Sequence, residues 1–258
     1  GKVAIITGGS RGIGRGIAAA MASAGAKVMI TSRNEESCAA TVEELRASTG
    51  GDLAYVAGHV GKTEDMDRVL DATLEAFGAI DVLVNNAGTT KFCAHADLEG
   101  LDAEDFQRIY GVNVIGCYQM TRAARAAMEA NDEGGAVVNI ASTAAVTGIG
   151  SSIAYAASKG AMVTMTMSLA RVLGPKIRMN AVCPGFIEGD WLREGLGDTQ
   201  YEAVRDANRR DAPLGVTACP DTVAEAILHF VTGPQVVTGE TLIVDGGRHL
   251  MSTPLGRR

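Results

Sequence analysis

Short apolar runs, several of them β-branched, alternate with helix-length stretches from one end of this chain to the other, and no other feature narrows its fold as much. The runs are Val3–Thr7, Lys27–Thr31, Leu53–Ala57, Val82–Asn85, Ala136–Ile140, Ile177–Val182 and Thr241–Val244. Continuous apolar runs of this length suit strands covered on both faces. Between them, alanine-rich Gly14–Ala24 stops at Gly25, and Glu35–Ser48 stops before Gly50–Gly51. Glycine just past a helix is a natural C-cap. Thr63–Phe77 carries apolar residues at helical spacing and stops at Gly78. Asp102 predicts the N-cap of a long helix reaching Met128, Ser152–Leu173 reads as a further helix, and Pro220–Asp221 opens the last, to about Val231.

Strand–helix alternation implies an α/β fold: a doubly wound parallel sheet with helices on both faces and right-handed crossovers. Ligands then bind beyond the carboxyl ends of the strands. No repeat, low-complexity tract or Pro/Ser-rich linker interrupts the 258 residues, so residues 1–258 are expected to form one domain. Phe186–Val216, which holds the only tryptophan, Trp191, is the longest stretch without an evident element. It is expected to be an irregular segment acting as a substrate lid.

The net charge of −7 comes without a run of like charges, and the pairs Arg209–Arg210 and Arg257–Arg258 are too short to alter that. Nucleic acid and anionic membrane surfaces are therefore unexpected partners. Five scattered cysteines without C-x-x-C spacing argue against a disulfide framework or a metal site and for a reducing, cytoplasmic compartment. No apolar run is long enough to span a bilayer. No secretory n-region or h-region is visible at the start, and the chain begins at Gly1 without an initiator methionine.

Two stretches carry chemistry. After the first strand comes Thr7-Gly8-Gly9-Ser10-Arg11-Gly12-Ile13-Gly14. A glycine turn between strand and helix lets backbone N–H groups meet a pyrophosphate at the helix N-terminus; the bland alternative is a tight turn. At the end of the second strand, Ser32 and Arg33 stand where a carboxylate would grip a ribose 2′-hydroxyl. Arg33 with Arg11 can instead clamp a 2′-phosphate, which favours NADP(H) over NAD(H); otherwise they are two solvated arginines. The second stretch is Tyr155-x-x-x-Lys159, preceded by Ser142. On a helix, Tyr155 and Lys159 share a face. An ammonium beside a phenol is expected to lower its pKa and suit it to general acid/base work on a carbonyl oxygen, which Ser142 could also hold. Of the 5 tyrosines only Tyr155 has lysine four residues on; Tyr118 and Tyr201 have arginine there.

With these pieces, the chain resembles the short-chain dehydrogenase/reductase family over essentially its full length. The matching motifs are Thr7–Gly14, Asn85-Asn86-Ala87-Gly88, Asn113, Ser142, Tyr155-x-x-x-Lys159, Pro184-Gly185 and Asp245-Gly246-Gly247. The resemblance implies a single-domain Rossmann-like sheet of seven parallel strands in the order 3-2-1-4-5-6-7, and transfer of the pro-S hydride of the nicotinamide. It implies Tyr155 as proton donor, Lys159 on the nicotinamide ribose, Ser142 on the substrate carbonyl, and Asn113 holding a water of a proton relay. Gly8, Ser10, Arg11, Gly12, Ile13 and Gly14 would bind the pyrophosphate end. Asn86, Ala87 and Gly88 would line the adenine ribose. Pro184, Gly185 and Ile187 would pack on the nicotinamide, and Asp245-Gly246-Gly247 would be structural.

Two positions depart from the family pattern. His59, before Val60, replaces an aspartate that contacts adenine, and Gly189 replaces a threonine that bonds the carboxamide. Val60 can still pack against the adenine. The expected activity is NADP(H)-dependent interconversion of a ketone or aldehyde with its alcohol. The candidate pocket, Thr89–Leu98, Thr143–Ser152 and Phe186–Leu196, is partly apolar and suits a small to medium substrate. Two alternatives stand beside it. One is 3-oxoacyl-(acyl-carrier-protein) reductase, for which Glu129, Asp132 and Glu133 would repel an acidic carrier while Arg122, Arg125 and Arg171 compensate in part. The other is a non-catalytic NADP sensor or scaffold. The resemblance also implies a homotetramer, or a homodimer, through the two long helices.

Overall fold

The structure is a computed structural model that describes residues 1–251, so Arg257–Arg258 lie outside the described residues. In chain order the elements are β1 (Val3–Thr7), α1 (Gly12–Ser23), β2 (Lys27–Ser32), α2 (Glu35–Thr49), β3 (Leu53–Ala57) and α3 (Thr63–Phe77). Next come β4 (Val82–Asn85), α4 (Ala103–Tyr110), a π-helical segment (Gly111–Gly116), α5 (Cys117–Glu129), β5 (Gly135–Ile140), α6 (Ala144–Thr147) and α7 (Ile153–Leu173). The chain continues through β6 (Ile177–Pro184), α8 (Asp190–Leu196), α9 (Asp198–Asp211), α10 (Pro220–Thr232) and β7 (Thr241–Val244). The strands form one seven-stranded parallel sheet in the order β3-β2-β1-β4-β5-β6-β7, as expected.

Period-two alternation along the strands makes the two cores. Ala4 and Ile6 of β1, Val28 and Ile30 of β2, and Val82 and Val84 of β4 face α1 and α10. Ile5, Met29 and Leu83 point the other way, towards Met66 of α3, Met120 of α5 and Leu173 of α7. Small residues let the helices close in. A Cβ on Gly16 of α1 would stand 2.8 Å from the Pro220 ring of α10.

Three elements differ from expectation. The helix begun at Asp102 does reach past Met128, and Asp102 caps it by accepting from Asp105 N–H at 2.8 Å. Its middle, however, is π-helical over Gly111–Gly116, which contains the buried Asn113. Residues 186–216 are not irregular: most of them form α8 and α9. Helix α9 buries only Tyr201 and α8 buries nothing, so neither shows the apolar stripe by which a helix is recognised. Finally, β6 runs on to Pro184, which pairs with Val244 of β7 at the strand's end and accepts from Thr143 N–H at 2.9 Å. Pro184 lacks an N–H and so reads as a stop in the sequence.

Candidate active site

Every strand end that was expected to supply a ligand contact opens on the same side of the sheet. The turn after β1 is fixed from β2, where the Thr31 carbonyl accepts from the N–H groups of Gly8 and Gly9 at 2.7 and 3.2 Å. It is fixed from β4 as well. Asn86 Nδ2 donates to the Thr7 and Gly8 carbonyls at 2.9 and 3.1 Å, and Thr7 Oγ1 accepts from the N–H groups of Asn86 and Ala87, both at 3.0 Å. Gly8 has φ 66°, a backbone setting that favours glycine. Helix α1 then begins behind Arg11 with no side-chain cap, so its first-turn N–H groups are left for an anion.

A cavity of ≈ 370 Å³ lies over this turn. Gly8, Ser10, Arg11, Ile13 and Gly14 form its floor, with Ser32 and Arg33 at one end. His59 and Val60 from the loop after β3, and Asn86, Ala87 and Gly88 from the loop after β4, continue the wall, and Tyr155 and Ile187 complete it at the other end. Gly12 is not on the wall, although its φ of 53° shapes the turn. Four wall residues were not foreseen: Thr31, Gly58, Arg108 and Val112. Arg108 and Val112 lie four residues apart, at the end of α4 and in the π-helical segment, and no motif marks either of them.

The wall suits a dinucleotide. Among the described residues Thr31 Oγ1 is buried with no hydrogen-bond partner, beside Gly58, where a Cβ would stand 3.3 Å from it. Asn34, the nearest polar side chain past Arg33, is committed to capping α2, its Oδ1 accepting from Ser37 N–H at 2.7 Å. Arg11 pairs with Glu194 of α8 at 3.4 Å, in the open. His59 is held by its backbone N–H, which donates to Asp65 Oδ2 at 2.9 Å, while its Nδ1 accepts from Gly61 N–H at 2.9 Å. That acceptor role places the ring proton of neutral His59 on Nε2. A Cβ on Gly14 would collide with the Gly8 carbonyl and lie 2.5 Å from Asn86 Nδ2. Gly14→Ala is therefore expected to spread the turn and weaken dinucleotide binding by at least about ten-fold, or 1.4 kcal/mol. A titration of cofactor fluorescence checks this, and unchanged affinity would mean the turn is not the phosphate cradle.

At the other end, Ser152 caps α7, its Oγ accepting from Tyr155 N–H at 3.2 Å, which sets the helix phase. Tyr155 therefore faces the cavity, and Lys159 lies one turn on, beneath it and only 3% exposed. The Lys159 ammonium is 5.7 Å from the Tyr155 ring centroid and donates to the Ile140 carbonyl at 2.6 Å. A Cβ on Gly88 would stand 3.5 Å from Asn113 Oδ1 and 3.7 Å from Lys159 Nζ, so these three positions meet under the cavity floor. The Asn113 amide is fully engaged. It accepts from Thr89 N–H at 2.8 Å and donates to the Thr89 carbonyl at 3.0 Å and Ser158 Oγ at 2.9 Å. Ser142 Oγ accepts from Ala144 N–H at 3.1 Å, and its hydroxyl is close enough to the Tyr155 phenol to favour the ionised form. Pro184 and Gly185 stand behind Ser142 and Thr143, and Gly185 packs so closely on Asp245 that a Cβ would come within 2.6 Å of that side chain.

One expectation about this end needs correction. The ammonium was expected to bring the phenol down. Instead burial pushes Tyr155 up to about 12, the Ser142 hydrogen bond opposing and the nearby Cys183 thiol adding to the rise. Burial also pushes Lys159 down to about 8, against a smaller upward pull from the Cys117 and Cys183 thiols. The physical reason is that desolvation disfavours both charged forms and is the largest influence on each. At neutral pH the arrangement offers a neutral phenol, a proton donor, facing the cavity.

The chain is similar to known proteins over nearly its whole length. The family model described as enoyl-(acyl carrier protein) reductase matches residues 8–249. A protein of Streptomyces violaceoruber designated ketoacyl reductase 2 of the granaticin polyketide synthase is 40% identical over 251 residues, covering 96% of each chain. The 3-oxoacyl-(acyl-carrier-protein) reductase of Chlamydia muridarum is 34% identical, covering 95% of this chain and 96% of its own. Among solved structures, a variant of the actinorhodin polyketide ketoreductase with NADPH superposes with a TM-score of 0.86 at 32% identity, over 96% of this chain and 97% of that one.

Proposed function

From the premise that this chain belongs to the short-chain dehydrogenase/reductase family, an oxidoreductase family, we propose that it uses NADP(H) to interconvert a ketone or aldehyde with its alcohol. The observation that carries the reading is a single cavity with the Gly8–Gly14 turn, Arg11 and Arg33 at one end and Tyr155 at the other. The dinucleotide, when bound, supplies or accepts the hydride.

The residues of the chain do the rest. The open first turn of α1 and the Gly8–Gly14 backbone hold the pyrophosphate, and Arg11 and Arg33 hold the 2′-phosphate. Thr31 Oγ1 is a free acceptor and donor on the adenosine side. Tyr155 gives its proton to the carbonyl oxygen during reduction and takes it back in oxidation, and Ser142 orients that oxygen. Lys159, buried beneath Tyr155, would hold the nicotinamide ribose, and Asn113, locked to Thr89 and Ser158, would keep the polar floor below Tyr155 in place. Water is kept from the reacting atoms by Ile187, Trp191 and Leu192, all on the cavity wall.

The test is NADPH and NADH oxidation with a panel of carbonyl compounds, run on the wild type and Arg33→Glu. Charge reversal is expected to weaken NADPH by about 1–3 kcal/mol, roughly five- to 150-fold, and NADH far less. Equal losses for the two cofactors would remove the 2′-phosphate clamp.

The name of the granaticin relative favours a second reading, a β-ketoacyl thioester as substrate. Acetoacetyl-CoA compared with simple ketones separates the two, since only the thioester reading expects the former to be reduced with markedly higher kcat/KM.

A further inference from the structure

The loop after β4 and helix α8 meet in a way no motif announces. Gly195 of α8 sits directly on the Phe92 ring: a Cβ there would fall inside the van der Waals envelope of Phe92 Cε2 and Cζ. One turn earlier on the same helix, Trp191 stacks on the same ring at 5.9 Å between centroids and 47° between planes. Trp191 also lines the cavity that Tyr155 lines, whereas Phe92 stands behind it. The loop bearing Phe92 is itself tied to the segment leading into α7. Cys93 N–H donates to the Ser151 carbonyl at 2.9 Å, Thr90 Oγ1 and Ser151 Oγ share a bond of 2.6 Å, and His95 Nε2 meets the Gly150 carbonyl at 3.2 Å. Gly150 in turn lies against Tyr155, where a Cβ would be 3.2 Å from Cδ1. A continuous chain of contacts therefore runs from Tyr155 through Gly150–Ser151 and Phe92 to Trp191.

Resting on the carbonyl-reductase reading, we propose that Trp191, seated by Phe92 in the notch left by Gly195, closes the substrate end of the cavity and sets the largest ketone the enzyme accepts. Trp191 is the specificity-determining residue because it touches the cavity; Phe92 and Gly195 are positioning residues that act through it. Phe92 and Trp191 are 37% and 38% exposed, so neither is core packing that the fold needs. Two large aromatic faces held in the open beside a cavity are the mark of a binding surface. Val146 and Ile149, on the segment that leads to Gly150, are exposed as well. The substrate class that fits is a ketone with an apolar ring substituent, whose carbonyl reaches Tyr155 while the ring lies against Trp191.

The test uses acetone, cyclohexanone, tetralone and a tricyclic ketone with NADPH, on the wild type, Trp191→Ala, Phe92→Ala, Gly195→Leu and the double variant Phe92→Ala/Gly195→Leu. Because hydrophobic pocket contacts discriminate by one or two orders of magnitude, Trp191→Ala and Phe92→Ala should raise the ratio of kcat/KM for the tricyclic ketone to that for cyclohexanone by about ten-fold. Gly195→Leu should raise it too, by lifting α8 off the ring. The double variant should bring the ratio back towards that of the wild type, the leucine filling the space the ring has left. Trp191 is the only tryptophan, so its emission reports the clasp directly and should shift to the red in Phe92→Ala. An unchanged size ratio in Phe92→Ala, or a double variant no closer to wild type than Gly195→Leu, overturns the proposal. Should the wild type reduce no ketone of the series, the functional reading falls by itself. The clasp is then judged on emission, and an unshifted Phe92→Ala spectrum overturns it as well.

Discussion

Tyr155→Phe is expected to lower turnover by about 10²–10⁴-fold, the range that a lost general acid commands, while leaving NADPH affinity within a few-fold of the wild type. Tyr155 is on the cavity wall, its helix phase set by the Ser152 cap, and only its hydroxyl differs from phenylalanine. Apolar packing is therefore retained and the proton lost. The pH profile adds a second check. With Tyr155 at about 12, the phenol stays protonated through the ordinary working range, so reduction should not be lost to tyrosine ionisation below pH 10. A fall in reduction near pH 8 would report Lys159 instead. Stopped-flow measurement of NADPH oxidation, with fluorescence titration of the cofactor, tests both parts. Near wild-type turnover in the phenylalanine variant would remove Tyr155 from the chemistry.

Lys159→Met is expected to make a dead enzyme that is more stable than its parent at neutral pH. The ammonium is buried against the Ile140 carbonyl and the Met162 thioether, at 2.6 and 3.5 Å, rather than against a carboxylate. Burial lowers its pKa from 10.5 to about 8, which means the native state penalises the charge by an amount on the order of 3 kcal/mol. Methionine has a similar length and no charge, but it leaves the Ile140 carbonyl unpaired at a cost of about 1 kcal/mol. The net is a gain of about 2 kcal/mol, or several degrees in Tm. The pH dependence has a definite sign. Between about 8 and 10.5 the unfolded chain holds a proton that native Lys159 has lost, so wild-type stability rises with pH across that window. The advantage of the variant is thus full below pH 8 and fades towards 10.5. Thermal melts at pH 7 and pH 10 measure it. A variant less stable than wild type at pH 7 would show that the lysine is well paired in the native state.

How much of this was open to a reader of the sequence depends on the range of each interaction. The seven strands were legible within two residues at each end because apolar runs and glycine stops are local. Helices α8 and α9 were not, since their exposed faces carry no stripe and their stability comes from contacts such as Arg193 with Tyr201, Asp198 and Glu202. Of the cavity wall, the turn residues and Tyr155 announce themselves by spacing, while Thr31, Gly58, Arg108 and Val112 do not. Their side chains are ordinary for a strand end, a turn and a helix face, and only the way β2, β3 and α4 converge makes them neighbours.

By itself the sequence determined the parallel sheet, the glycine turn at the head of α1 and the shared helix face of Tyr155 and Lys159, because strand alternation, left-handed glycine backbones and the 3.6-residue helical repeat are properties of adjacent residues. Tertiary structure alone decided the desolvation of that pair and the seating of Trp191 on the Phe92 ring, which lies in the notch left by Gly195. Desolvation is a sum over everything packed around a group, and a notch exists only once two distant segments have been pressed together.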